Sequence, residues 1–192
     1  MVYSQNDEQD YILNYFSGFK GTFLDIGAND GKNLSNTAAL VDNGWEGVMV
    51  EPSPATFKQL MLNYLYNKRL QPVNCAVSDK AGAITFYECE DTLISSMNET
   101  LIKSWGRPYV PIIVQSLTYK LLLEELEYKQ FDFISIDAEG MDLVILKQID
   151  LTDVKMICVE HGNTFEREIK EYCEGFGMKQ IMRNFENIVM AR

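Results

Sequence analysis

The sequence predicts an α/β domain built on a doubly wound, mostly parallel sheet, and three observations carry that expectation. Short apolar runs rich in strand-forming residues alternate with segments of helical period. Several runs are apolar at consecutive positions, as in strands covered on both faces. The unusual residues, glycines and carboxylates, fall directly after these runs, where open α/β sheets bind ligands. With 192 residues, no internal repeat and no linker-like tract, residues 1–192 are expected to form a single domain.

In chain order, Glu8–Phe16 places Tyr11, Ile12, Tyr15 and Phe16 on one helical face, giving an N-terminal helix within residues 1–20. Gly18 and Gly21 bracket the turn into the strand Thr22–Ile26. A glycine-rich turn follows, and Leu34, Ala38 and Val41 mark a helix that Gly44 would end. The second strand is Gly47–Val50. Ser53 then reads as an N-cap with Pro54 at the first helical position, opening a helix with Phe57, Leu60, Met61 and Tyr64 inward. A strand near Pro72–Val77, a turn at Asp79–Gly82 and a strand at Ala83–Tyr87 follow.

Residues Glu88–Pro111 are the least regular, and a loop of that length is usually functional or mobile. A strand at Ile112–Gln115 leads through Ser116, a candidate cap, into the helix Tyr119–Leu126. The most apolar strand, Phe131–Ile136, ends on Asp137-Ala138-Glu139-Gly140 before a helix with Leu143, Val144 and Leu146. The strand Met156–Val159 ends on Glu160-His161-Gly162, and Asn163 with Glu166 resembles a capping box for a helix to Glu174, with Gly175 just beyond. Met178–Arg183 and Asn187–Ala191 close the domain as an antiparallel pair.

Lys plus Arg is 17 and Asp plus Glu is 28, a formal charge of 17 − 28 = −11. That balance argues against a nucleic-acid backbone or an anionic membrane as partner. Cys75, Cys89, Cys158 and Cys173 lie far apart, with no Cys-x-x-Cys pair and no histidines at zinc spacing, and read as reduced, buried thiols. No apolar stretch reaches membrane-span length and the N-terminus is polar, so the expectation is a cytoplasmic protein.

The first strand is followed by Asp25-Ile26-Gly27-Ala28-Asn29-Asp30-Gly31, and the second by Glu51-Pro52, 26 positions beyond Asp25. An acidic group after the second strand is where such folds hydrogen-bond the two hydroxyls of a ribose. The dinucleotide fingerprint Gly-x-Gly-x-x-Gly is absent; the turn has Gly27-x-x-x-Gly31 and carries Asp30. A carboxylate there would repel a pyrophosphate and tolerate a cationic, phosphate-free ligand such as S-adenosylmethionine. The bland alternative is a glycine turn beside a satisfied carboxylate.

The ordered series of motifs resembles the FkbM-type S-adenosylmethionine-dependent methyltransferases over nearly the whole chain. The resemblance is carried by Phe23–Gly31 with Ser35-Asn36-Thr37, Val50-Glu51-Pro52-Ser53-Pro54 and Asn74-Cys75-Ala76-Val77-Ser78. Ser95-Ser96, Phe131–Gly140, Val159-Glu160-His161, and Ser4-Gln5 with Glu8-Gln9-Asp10 extend it. It implies a class I methyltransferase fold (Rossmann-like) with a seven-stranded sheet and an antiparallel C-terminal strand. It also implies methyl transfer to a hydroxyl of a sugar, polysaccharide or small metabolite.

Under that resemblance Asp25, Gly27, Gly31 and neighbouring backbone hold the amino-acid part of the cofactor, with Asn29 and Ser35 as polar contacts to its carboxylate. Glu51 accepts from the ribose hydroxyls, Pro52 and Ser53 flank the adenosine, and Ala76 and Val77 border adenine. Asn74, Ser78 and Ser35 are equally well placed for turn and cap chemistry. Asp137 would face the sulfonium and acceptor, and Glu139 would bind or deprotonate the acceptor hydroxyl, unless either caps the next helix. His161, the single histidine, is a candidate general base. A divalent metal shared by Asp137, Glu160 and His161 is an alternative that the ligand types permit but that is not favoured, and their spacing prescribes no specific metal. Residues 88–111, with Trp105, Arg107 and Tyr109, are a candidate lid or acceptor wall. So short a chain must complete its acceptor site from loops or from a second subunit, as in a homodimer. The competing functions are a nicotinamide-dependent oxidoreductase and a non-catalytic cofactor-binding scaffold.

Overall fold

A strand of four or five consecutive apolar residues is stable only where both its faces are covered, and that requirement sets the architecture. The computed structural model describes residues 1–192. In chain order its strands are β1 (Thr22–Ile26), β2 (Glu46–Val50), β3 (Leu70–Val73), β4 (Ala76–Val77), β5 (Gly82–Cys89), β6 (Tyr109–Leu117), β7 (Phe133–Ile136), β8 (Met156–Glu160), β9 (Lys179–Arg183) and β10 (Asn187–Ala191). The helices are α1 (Glu8–Tyr15), α2 (Ala38–Asp42), α3 (Pro54–Asn63), α4 (Glu99–Trp105), α5 (Tyr119–Glu125), α6 (Asp142–Leu146) and α7 (Glu166–Gly175).

Seven strands form one sheet in the order β3-β2-β1-β7-β8-β10-β9. The pairs β2–β3, β1–β2, β1–β7 and β7–β8 are parallel, while β10 runs antiparallel to both β8 and β9. This is the expected doubly wound fold with its antiparallel C-terminal strand. Side chains alternate between the faces of each strand. Leu24, Ile26, Ile134, Ile136, Ile157 and Val159 meet α5, α6 and α7 in a cluster of 24 buried residues. Phe23, Met49, Phe133, Met156, Cys158 and Val189 face α1, α2 and α3 in a second cluster of 15. A separate three-stranded sheet, β4-β6-β5, is inserted between β3 and α5.

The expected helix starts hold where a side chain satisfies free amides: Ser53 Oγ accepts from Thr56 N, with Pro54 following. Elsewhere tertiary contacts override local signals. Leu34 is no helical residue; it is exposed with φ +53°, and Ser35 Oγ accepts from Thr37 N and Ala38 N, so the helix begins at Ala38. The Pro72–Val77 run splits between two sheets, because Asn74 Nδ2 donates to the Glu51 and Pro52 carbonyls and bends the chain. Ser116 is buried inside β6 against Ser78, and Thr118 Oγ1 caps α5. No capping box precedes α7: Asn163 has φ +55° and Glu166 pairs with Arg183. In α1, Ile12 and Phe16 are inside, but Tyr11 and Tyr15 are exposed and Glu8 and Gln9 are buried. Met61 and Val144 are likewise exposed. The Glu88–Pro111 segment is largely ordered as the end of β5, a 3₁₀ turn at Thr92–Ile94, α4 and the start of β6. All four cysteines are free and buried, and no helix is long and apolar enough to cross a membrane.

At the head of the sheet, Gly27 has φ +88°, and a Cβ there would lie 1.7 Å from the Asp137 carbonyl oxygen. Gly18 has a similar φ of +74°, with no atom within 4 Å of where a Cβ would stand, so it separates strain from collision. Gly18→Ala should cost about 1–2 kcal/mol in urea unfolding, the left-handed penalty alone. Gly27→Ala should cost about 4 kcal/mol or more, because backbone must move. Equal losses in the two variants would contradict this close approach.

Candidate functional site

The face that packs on α1–α3 turns polar at the carboxyl ends of the strands. By the period-2 rule, Asp25 and Gly27 continue the row of Phe23, Glu51 that of Met49, Ser135 and Asp137 that of Phe133, and Glu160 that of Met156. Asn187 joins them because it pairs with Glu160 across the antiparallel β8–β10 ladder. Two chambers open over this layer and share Gly27, Asn29, Leu93, Asp137 and Glu139 as their common wall.

Away from that wall the first chamber is mostly apolar, with Ile26, Val50, Ala76, Val77, Phe86 and Met97 around Glu51. Glu51 is 6% exposed; its Oε2 accepts from Asn29 N at 3.0 Å and its Oε1 from Ser53 N at 2.8 Å. Burial pushes its carboxyl up to about 7, opposed by those two amide hydrogen bonds. Each oxygen retains lone-pair capacity toward the chamber, so the group is oriented to accept from two donors. Asn74, which clamps the Glu51 and Pro52 carbonyls, acts as a turn residue. Pro52, Ala76 and Val77 line the chamber, whereas Ser53 lies behind it, capping α3 and donating to Glu88.

The second chamber is acidic. Six carboxylates line it, Asp25, Asp91, Asp137, Glu139, Glu160 and Glu186, with no lysine, arginine or histidine. Burial raises Asp137, Glu139 and Glu160 well above the usual carboxylate range, and their negative neighbours raise them further. Asp25 sits beneath, pushed up to about 6 by burial despite a 2.6 Å hydrogen bond from Thr37 Oγ1. The Asp137–Gly140 loop is held by Asp142, whose oxygens accept from Ala138 N at 2.7 Å and Gly140 N at 3.0 Å. Glu139 itself has φ +48°, a left-handed conformation that is costly for a non-glycine residue and is kept here by surrounding contacts. Ser96 Oγ donates to its carbonyl at 2.6 Å.

The structure brings Asp25, Gly27, Asn29, Glu51, Asp137 and Glu139 together, and separates His161, Ser53 and Gly31 from them. His161 is 1% exposed; its Nδ1 accepts from Asn163 N and its Nε2 donates to the Asn184 carbonyl, so neither nitrogen is free for a proton transfer. The general-base expectation for His161 is therefore corrected: the residue fastens the β8–α7 turn to β9–β10. Gly31 packs against Leu60 and Tyr64, whose hydroxyl donates to its carbonyl, away from both chambers. Ser35 lines the acidic chamber, but its hydroxyl is committed to the start of α2. From the insertion, Thr92, Leu93, Ser95 and Met97 roof the apolar chamber and Trp105 lines the acidic one. Arg107 and Tyr109 face neither; Tyr109 bonds Glu99 instead. Asp142, Glu186 and Asn187 carry no local signal that marks them for the site, and no local signal marks the burial of Glu8. The last is fully buried and accepts from Asn184 and Asn187, and only the closure of β10 against β8 and α1 brings these together.

The family description "Methyltransferase FkbM domain" matches residues 25–187. No curated protein sequence matches the chain. Among solved structures, a protein described as methyltransferase yhhF from Escherichia coli superposes with a TM-score of 0.52 at 11% identity, over 100% of this chain and 88% of that one. One described as a caffeoyl-CoA O-methyltransferase from Staphylococcus aureus gives 0.53 at 12%, over 100% and 86%. One described as an RNA methyltransferase from Pyrococcus horikoshii gives 0.52 at 9%, over 96% and 80%. At these identities the likeness is one of fold.

A carboxyl raised in the folded state binds a proton there that the unfolded chain has already released. Glu51 therefore subtracts stability as pH rises from the unfolded value, about 4.3, toward its folded value of about 7. Thermal midpoints measured without ligand should fall more steeply for the native protein than for Glu51→Gln between about pH 4 and about pH 8. The difference in slope should amount to a few degrees over that range. Parallel profiles would mean that Glu51 is not buried as described.

Proposed function

Because the chain belongs to the FkbM methyltransferase family, we propose that it is an S-adenosylmethionine-dependent O-methyltransferase acting on a hydroxyl of a small molecule or sugar. The observation that carries this reading is the pairing of the two chambers. A largely apolar slot, in which Glu51 is oriented by two backbone amides, opens directly into a cleft whose ionisable groups are all negative. A nucleoside suits the first chamber and a positively charged centre suits the second. A dinucleotide pyrophosphate would face six carboxylates, which speaks against the oxidoreductase reading.

Glu51 is the acceptor for two ribose hydroxyls, its geometry set in advance by the Asn29 and Ser53 amides. Pro52, Ala76, Val77 and Phe86 cover the faces of the base. Gly27 and Asn29, at the shared wall, direct the rest of the ligand toward the acidic chamber. When bound, S-adenosylmethionine supplies an electrophilic methyl group on a positively charged sulfur. That positive charge favours the ionised forms of both Asp137 and Glu139, and the ionised Glu139 accepts the proton that the acceptor hydroxyl releases. Positioning of the hydroxyl in line with the methyl group, by the walls of the cleft, supplies much of the acceleration. The acidic chamber takes a neutral or cationic acceptor in preference to an anionic one, and the net charge of −11 argues against nucleic acid.

Calorimetry with S-adenosylhomocysteine and methyl-transfer assays over a panel of hydroxyl acceptors test the reading. Glu51→Gln should weaken S-adenosylhomocysteine about 10–100-fold, since a polar pair in a buried slot is broken. Glu139→Gln should leave that affinity within about twofold and lower kcat about 100-fold or more. His161→Gln should lower the thermal midpoint and leave ligand affinity unchanged. Tight binding of NAD, with none of S-adenosylhomocysteine, would refute the assignment.

A further inference from the structure

We infer that the acidic chamber is a binding site for one hard divalent cation, held by Asp137, Glu139 and Glu160. One oxygen from each of these three carboxylates lies within 4.8 Å of the others. Opposite oxygens around a single Mg²⁺, Mn²⁺ or Ca²⁺ stand about 4–5 Å apart, so the cluster has the dimensions of one coordination sphere. The set is oxygen-only: His161 is turned away onto backbone, and no thiol belongs to the cluster, which selects against zinc and copper.

Acidic side chains gathered in a cleft are common without an ion, and a second observation distinguishes this one. Asn187 is 4% exposed, lines the same chamber and stands opposite Glu160 in the β8–β10 register. Its Nδ2 donates to Glu8 Oε1 at 2.9 Å, which fixes the orientation of the amide because a carboxylate cannot donate. Its Oδ1 is left buried with no hydrogen-bond partner. Glu186 Oε2, from the adjacent residue and in the same chamber, is also buried without a partner. Unmatched buried acceptors are rare, and two of them beside three clustered carboxylates have no donor in the protein to satisfy them. A cation bound in the chamber would bring positive charge toward these acceptors, which no donor of the protein supplies.

Under the proposed function the acceptor enters this chamber, where a bound cation would hold an acceptor oxygen and lower the pKa of its proton. Each carboxylate has two oxygens, and Glu139 can ligate with one while the other receives that proton. The inference concerns binding by the acidic chamber and stands apart from the identity of the methyl donor.

Mn²⁺ titration followed by the electron paramagnetic resonance of the free ion tests it on the full chain. The native protein should bind one Mn²⁺, and Glu160→Gln and Glu139→Gln should each weaken it at least about tenfold, whereas Glu171→Gln on exposed α7 should not. A second readout needs no variant in the cluster: Tb³⁺ emission sensitised by Trp105, which lines the chamber, should appear and be displaced by excess Ca²⁺. Absence of both signals in the folded native protein overturns the inference, as does equal Mn²⁺ affinity in native protein and cluster variants. S-adenosylhomocysteine binding measured on the same samples keeps the two readings separate. Mn²⁺ binding without it would leave the cation site standing and remove the methyltransferase assignment.

Discussion

The close approach of two strand ends governs this molecule. Asp137 N donates to the Ile26 carbonyl, and the Asp137 carbonyl occupies the space a side chain at position 27 would need. Gly27 N and Ala28 N meanwhile donate to the Val50 carbonyl on the other flank. The carboxyl ends of β1, β2 and β7 are thus drawn to one point, and the residues that follow them have to diverge. Glu51 is carried to one side of that point and the Asp137–Gly140 loop to the other. The wall shared by the two chambers is this crossing, so the spacing between an apolar slot and an acidic cleft is a backbone property.

Around that crossing, burial and charge are set against each other. Carboxylates at the ends of apolar strands lose solvation, and the protein offsets the loss unevenly. Glu51 and Asp142 each receive two backbone amides, and Asp25 receives the Thr37 hydroxyl. Asp137, Glu139 and Glu160 have no cation beside them and repel one another. Glu51 and Asp142 thereby orient backbone, whereas Asp137, Glu139 and Glu160 face the cleft without such donors. Such an imbalance suits a site that exists to receive positive charge, whether from a ligand or from an ion.

The surrounding scaffold holds this arrangement from two directions. On one side the inserted β4-β6-β5 sheet brings Leu93 and Met97 over the apolar slot, and Ser96 ties it to Glu139. On the other side Glu8, Asn184, Asn187 and His161 form a buried network linking α1 to the β8–α7 turn and the closing hairpin. A histidine directly after a strand end looks functional in sequence. Here its two ring nitrogens are consumed by backbone, and the ionisable groups that line the cleft are all carboxylates.

The doubly wound sheet, its helices on both faces, the antiparallel closing pair and the polar layer at the strand ends were legible in the amino-acid order alone. Each of these follows from local patterns: apolar runs of strand length, the Ser53-Pro54 cap, and the positions of Gly27 and Glu51 after their strands. Phase is also local, because alternation along a strand puts Asp25 and Glu51 on one face once Phe23 and Met49 are inside. The pairings between segments distant in the chain emerge only on folding. Asn187 joins Glu160, Glu8 joins Asn187, and the Pro72–Val77 run divides between two sheets through such contacts. The distinction between His161 as a base and His161 as a fastener belongs to the same class. It rests on whether a ring nitrogen has a free lone pair, and the groups that occupy it, Asn163 N and the Asn184 carbonyl, are positioned by the folding of α7 and the closing hairpin.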